Sequence, residues 1–103
     1  MSKVIKSEII ALDGAVTEST ILTLDKDILT GVAGGQPTKA VITVNGAVVY
    51  VNRDGTDPSL ATENYQAYGN GGKIVAKGYD NMAQIKFAQL DGLKANLYVI
   101  YEN

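Results

Sequence analysis

Apolar residues recur with a period of two along most of this chain. That spacing suits strands with one buried face and argues against a helical bundle. The clearest run is Val41-Ile-Thr-Val-Asn-Gly-Ala-Val-Val-Tyr-Val51, two β-branched stretches on either side of Asn45-Gly46. Asn-Gly tolerates positive φ at both central positions of a type I′ turn, so the run predicts a β-hairpin. Its register would set Val44 opposite Ala47 and Ile42 opposite Val49. A second hairpin is predicted from Ala-Gln-Ile-Lys-Phe-Ala-Gln at 83–89 and Ala-Asn-Leu-Tyr-Val-Ile-Tyr-Glu at 95–102, with Asp91-Gly92 in the connection.

The rest of the chain is less regular. Residues 3–12 read as one strand, bent near Ser7. Residues 19–24 read as another, with Leu22 and Leu24 inward and Thr23 outward. Residues 25–37 carry Gly31, Gly34, Gly35 and Pro37 and read mostly as loop. Residues 72–76 form a short strand entered through Gly69-Asn-Gly-Gly72. A long connection, 52–68, separates the two hairpins, and Asp57-Pro58 suits the start of a short helix through Glu63. Its length fits a crossover between two sheets. The expectation is an all-β fold: one jelly-roll-like β-sandwich domain, residues 1–103, of about seven or eight short antiparallel strands. Residues 1–12 serve in it as an N-terminal arm or edge strand.

Composition removes several functions. The chain has no His and no Cys. That excludes His-dependent triads, His-ligated zinc, disulfides and thiolate chemistry. Lys and Arg together number 9 of 103 residues, scattered singly, with Arg53 the one arginine. A nucleic-acid face needs clustered cations, so none is expected. No window approaches the ~20 apolar residues of a membrane helix, and the first residues lack a signal-peptide run. The expectation is synthesis in a cytoplasm and no membrane partner.

The remaining polar motifs read as structure. Arg53-Asp-Gly-Thr-Asp-Pro58 lacks the ligand series of a calcium loop and reads as a polar turn, with Asp57 capping the segment after it. Asp25-Lys-Asp27 reads as a solvated strand end. Gly69-Asn-Gly-Gly-Lys73 is followed by Ile74 and a strand, not by the Ser/Thr and helix of a phosphate loop. No serine has a base at useful spacing. The chain is therefore not expected to be an enzyme, and no cofactor or metal site is expected.

Two strands break the alternation a half-wet sheet requires. Ala47-Val-Val-Tyr-Val51 and Leu97-Tyr-Val-Ile-Tyr101 are apolar on both faces. In the second, Leu97, Val99 and Tyr101 share one face, and Tyr98 and Ile100 the other. One face fills the core. The other is covered by a loop at 31–37 or 60–68, or it meets another protein. Six Tyr against one Phe and no Trp favour contact with protein, because Tyr buries a ring and keeps a wet hydroxyl. The interface residues so expected are Val48, Tyr50, Tyr98 and Ile100.

The second half of the chain also resembles a known class. Arg53-Asp-Gly-Thr-Asp-Pro-Ser59, Gly71-Gly-Lys-Ile-Val75, Ile85-Lys-Phe87 and the closing Ala95-Asn-Leu-Tyr-Val-Ile-Tyr-Glu102 follow in order. This series, over about residues 40–102, resembles small capsid decoration (cement) proteins of tailed bacteriophages. The resemblance implies a non-enzymatic virion protein with a jelly-roll fold, present on the capsid surface as a dimer or trimer. Its partner would be the major capsid protein, and residues 3–12 would be an arm adding a strand to a neighbour's edge. Two other functions stay open. One is a carbohydrate-binding sandwich module using Tyr65, Tyr68 and Tyr79. The other is a subdomain of a phage tail fibre or baseplate.

Overall fold

Among the described residues, eight strands and two short helices run in the order β1 (Val4–Leu12), β2 (Leu22–Thr23), α1 (Lys26–Leu29), β3 (Lys39–Gly46), β4 (Val49–Asn52), β5 (Gln66–Tyr68), β6 (Lys73–Lys77), α2 (Tyr79–Gln84), β7 (Lys86–Ala88) and β8 (Ala95–Glu102). The computed structural model describes residues 4–12, 21–31, 36–59, 63–89 and 93–103. The strands form two four-stranded sheets, ordered β1-β8-β3-β6 and β2-β7-β4-β5. Every pairing within them is antiparallel.

The alternation explains why the sheets face one another. On β8, Ala95, Leu97, Val99 and Tyr101 are buried, while Asn96, Tyr98 and Ile100 are exposed. On β3, Ala40, Ile42 and Val44 point inward. The second sheet contributes Val49, Val51 and Phe87 to the same apolar cluster, so the two sheets form an all-β sandwich. Removal of these side chains from water is the main force holding it together. Ile28 and Leu29 of α1 and Met82 of α2 join the cluster, and the two helices touch each other.

Both predicted hairpins are corrected. β3 and β4 lie in different sheets, and so do β7 and β8. Ile42 pairs with Ile74 and Val99, not with Val49. Asn45 pairs with Asn96 as the penultimate residue of β3. Positive φ is found at Gly46 but not at Asn45, so no type I′ turn forms. The chain instead crosses from one sheet to the other through Ala47 and Val48. Of the second predicted hairpin, residues 83 and 84 belong to α2, and Asp91 and Gly92 lie outside the described residues.

Other local expectations divide. β1 has a register shift between Val4 and Lys6, close to the expected bend, and pairs along β8 as an edge strand of its own sheet. β2 forms within the expected segment, with Leu24 buried and Thr23 exposed, and β6 forms one residue later than expected, at Lys73–Lys77. In the stretch read as loop, α1 forms because Asp25 caps it: its Oδ1 accepts from the N–H of Asp27 at 2.8 Å and of Ile28 at 3.4 Å. The helix expected after Asp57-Pro58 is not found among the described residues. Ser59 and Asn64 pair there as an isolated bridge, while residues 60–62 lie outside the description. Asp57 forms an ion pair with Lys86 at 2.9 Å, and among the described residues it caps no helix.

Tyr101 gives the sandwich a pH limit. Its ring is fully buried, and its hydroxyl donates to Glu8 on β1. Burial, and then the Glu8 hydrogen bond and charge, push its hydroxyl well above the ordinary tyrosine range. The unfolded chain loses this proton near pH 10, whereas the folded chain keeps it to higher pH. Stability from this group is therefore complete below about pH 10 and falls by about 1.4 kcal/mol per pH unit above it. Urea midpoints of the protein and of Tyr101→Phe should run in parallel to about pH 10 and then converge or cross, because the variant lacks this loss. Parallel curves at higher pH would rule out the linkage.

Candidate functional site

The outer face of the first sheet carries an apolar band across all four strands. The register aligns Ile9, Tyr98, Thr43 and Lys73 in one row and Ser7, Ile100, Val41 and Val75 in the next. Ile9 is 65% exposed, Tyr98 41%, Ile100 42% and Val75 39%, and Val41 is half-buried. Around this band lie polar residues: Asn45 and Asn96 on one side, Lys39, Glu102 and Lys77 on the other. Lys39 and Glu102 form an ion pair at 3.3 Å. An apolar centre with a polar rim is the anatomy of a protein interface, and contiguous exposed apolar surface commonly marks an interaction site.

The four residues expected at an interface do not share one surface. Tyr98 and Ile100 lie side by side on the outer face of β8 in the first sheet. Asn45 Nδ2 donates to the Tyr98 hydroxyl at 3.4 Å. Tyr50 belongs to β4 in the second sheet and is only 8% exposed. It packs edge-on against Tyr65, with ring centroids 4.8 Å apart and an interplanar angle of 85°. Val48 lies in the link before β4, half-buried, and its carbonyl accepts from Gln89 Nε2 at 3.0 Å. Of the two strands apolar on both faces, one thus meets a segment of its own chain and the other is left open.

Ile9, Val41 and Val75 were not singled out from sequence, although a signal exists. Each adjoins a core residue in an apolar pair: Ile9-Ile10, Val41-Ile42, Ile74-Val75. On a strand, adjacent residues face opposite ways, so each pair announces an apolar outer position.

The polar motifs occupy turns. Asp54 Oδ1 accepts from the Thr56 hydroxyl at 2.6 Å and the Thr56 N–H at 3.1 Å. These bonds, the hydroxyl's first, hold the Asp54 carboxyl below its ordinary range. Gly69-Asn-Gly-Gly72 carries the chain from β5 to β6, and Asn70 Oδ1 accepts from the Gly46 N–H at 3.0 Å. Asp25 and Asp27 sit at the start of α1. Of the loop tyrosines, Tyr65 precedes β5, Tyr68 ends it and Tyr79 opens α2. Among the described residues no three His, Cys, Asp or Glu side chains gather as a metal site, and no helix is long and apolar enough to cross a membrane.

Comparison with known proteins finds no match to a family model, to a curated protein or to a solved structure.

Proposed function

We propose that this chain is a non-enzymatic capsid decoration protein, docking on a phage head as an oligomer through the outer face of its first sheet. The observation that carries the reading is the exposed band of Ile9, Tyr98, Ile100 and Val75 on a face whose alternation should have left it polar. A rigid sheet presenting apolar side chains between charged and amide residues suits bridging of neighbouring capsid subunits. The strand orders β1-β8-β3-β6 and β2-β7-β4-β5 support a jelly-roll reading. In that topology nearly every connection passes between sheets, as here. The likeness of residues 40–102 to the decoration class points the same way.

The test pairs light scattering with sedimentation against heads of the particle that encodes the chain. The protein should be oligomeric at micromolar concentration and should co-sediment with heads. Ile100→Lys should weaken head binding by at least about 30-fold, the size of a lost hot spot. Because Ile100 is 42% exposed, the same change should leave folding stability within about 0.5 kcal/mol. A monomer that ignores heads, or a variant that binds as well as the parent, would remove this function.

A further inference from the structure

We infer that the groove between the end of β4 and the entry to β5 is a binding site for a neutral carbohydrate. None of the residues lining it belongs to the band assigned to docking, although Arg53 donates to the Val75 carbonyl at 3.2 Å, and the inference does not depend on that assignment. The groove is shallow and largely open to solvent, with about 360 Å³ of space, as suits a ligand bound along a surface. Its lining includes Arg53, Asp54, Glu63, Asn64, Tyr65 and Gln66.

The chemistry of that lining selects a ligand class. Two carboxylates outweigh one guanidinium, which disfavours phosphate and other anions. Val51 is the one aliphatic residue among those lining it, which disfavours an acyl chain. What remains is a mixture of acceptors and two-way amides beside an aromatic ring. A sugar hydroxyl both donates and accepts, so it can pair with carboxylate and amide together. The C–H face of a pyranose suits the apolar body of a tyrosine.

The groove is also set in place by its own hydrogen bonds. Thr56 Oγ1 donates to Asp54 Oδ1 at 2.6 Å and accepts from Asn52 Nδ2 and Asn64 Nδ2, each at 3.2 Å. Asn52, itself nearly buried, also donates to the Asn64 carbonyl at 2.9 Å. The Tyr65 ring is packed against Tyr50 in a T-shaped pair. Groups ordered before a ligand arrives cost less to order on binding. Glu63 has a φ of 54°, and no other non-glycine among the described residues has a positive φ. Side chains rarely adopt that conformation, and it recurs at binding sites as well as in turns.

The test is a glycan array on the full chain, followed by an amide NMR titration. The titration probes are D-glucose, D-galactose and N-acetylglucosamine, with any array hit, and inorganic phosphate serves as the anion control. A sugar should shift the side-chain amide signals of Asn52, Asn64 and Gln66 saturably and leave Tyr98 and Ile100 unmoved. Glu63→Gly should weaken that binding about tenfold, the effect of one hydrogen bond to a charged group. Glycine accepts the left-handed backbone there, so the variant keeps its fold. An array without hits and no saturable shift with any probe sugar would overturn the site. Binding of phosphate in place of sugar, or sugar binding untouched by Glu63→Gly, would also overturn it. None of these results bears on head binding, which Ile100 reports separately.

Discussion

Phe87→Ala should destabilise the fold by about 3–5 kcal/mol, the usual cost of deleting a fully buried aromatic side chain. At roughly 4–8 °C per kcal/mol for a domain of this size, the melting temperature should fall by tens of degrees. Phe87 is fully buried and is the central residue of β7, which has only three residues. It pairs with Leu22 on one side and Val51 on the other. The second sheet is therefore anchored to the core at this strand by one large side chain. Total stability of a domain is about 5–15 kcal/mol, so the variant should be marginal or unfolded. Ile100→Ala is the matched comparison. Ile100 faces outward, and its truncation should cost less than about 1 kcal/mol. Urea denaturation of both variants reads the difference. Similar losses would mean that the two faces of the sandwich are wrongly assigned.

The second large effect is expected at Gly46, which adopts a φ of 102°. A Cβ added there would stand 3.0 Å from the Lys94 carbonyl oxygen and 3.3 Å from the Ala95 Cα. Both are backbone atoms. They cannot withdraw easily, because the same Lys94 carbonyl accepts from the Ala47 N–H at 3.1 Å. Strained φ and backbone overlap together should make Gly46→Ala cost about 2–4 kcal/mol. Asn45→Thr should cost less than about 0.5 kcal/mol, since Asn45 is an exposed strand residue where a β-branched side chain fits. In a type I′ hairpin the β-branched residue would also suffer, because both turn positions would need positive φ. Thermal melts of the pair therefore separate a crossover at Asn45-Gly46 from a turn.

The candidate surface was half legible. Tyr98 and Ile100 could be marked because β8 is apolar on both faces, so one of its faces had to meet something besides the core. Tyr50 carried the same signal but is covered, because the segment through Tyr65 returns across the outer face of β4. Nothing local to Tyr50 announces that return. Of the groove inferred for carbohydrate, only Tyr65 was marked in the sequence. Residues 52–56 and 63–66 belong to one connection, yet β5 within it was unforeseen, and it is the pairing of β5 with β4 that brings the two stretches together.

The amino-acid order determined that most of the chain is extended and which residues of a strand share a face. Alternation groups Leu97, Val99 and Tyr101 on one face and Tyr98 and Ile100 on the other, but both groups are apolar, so the fold chose which one is buried. The tertiary structure alone decided which strands are neighbours. Every strand-to-strand connection except that from β4 to β5 passes from one sheet to the other. A strand's pattern of buried and exposed side chains is the same beside its chain neighbour or beside a distant segment. Its hydrogen-bond partner is chosen by which combination of all eight strands closes one apolar interior. That choice placed β3 beside β8 instead of β4, and it left the outer side of the first sheet uncovered.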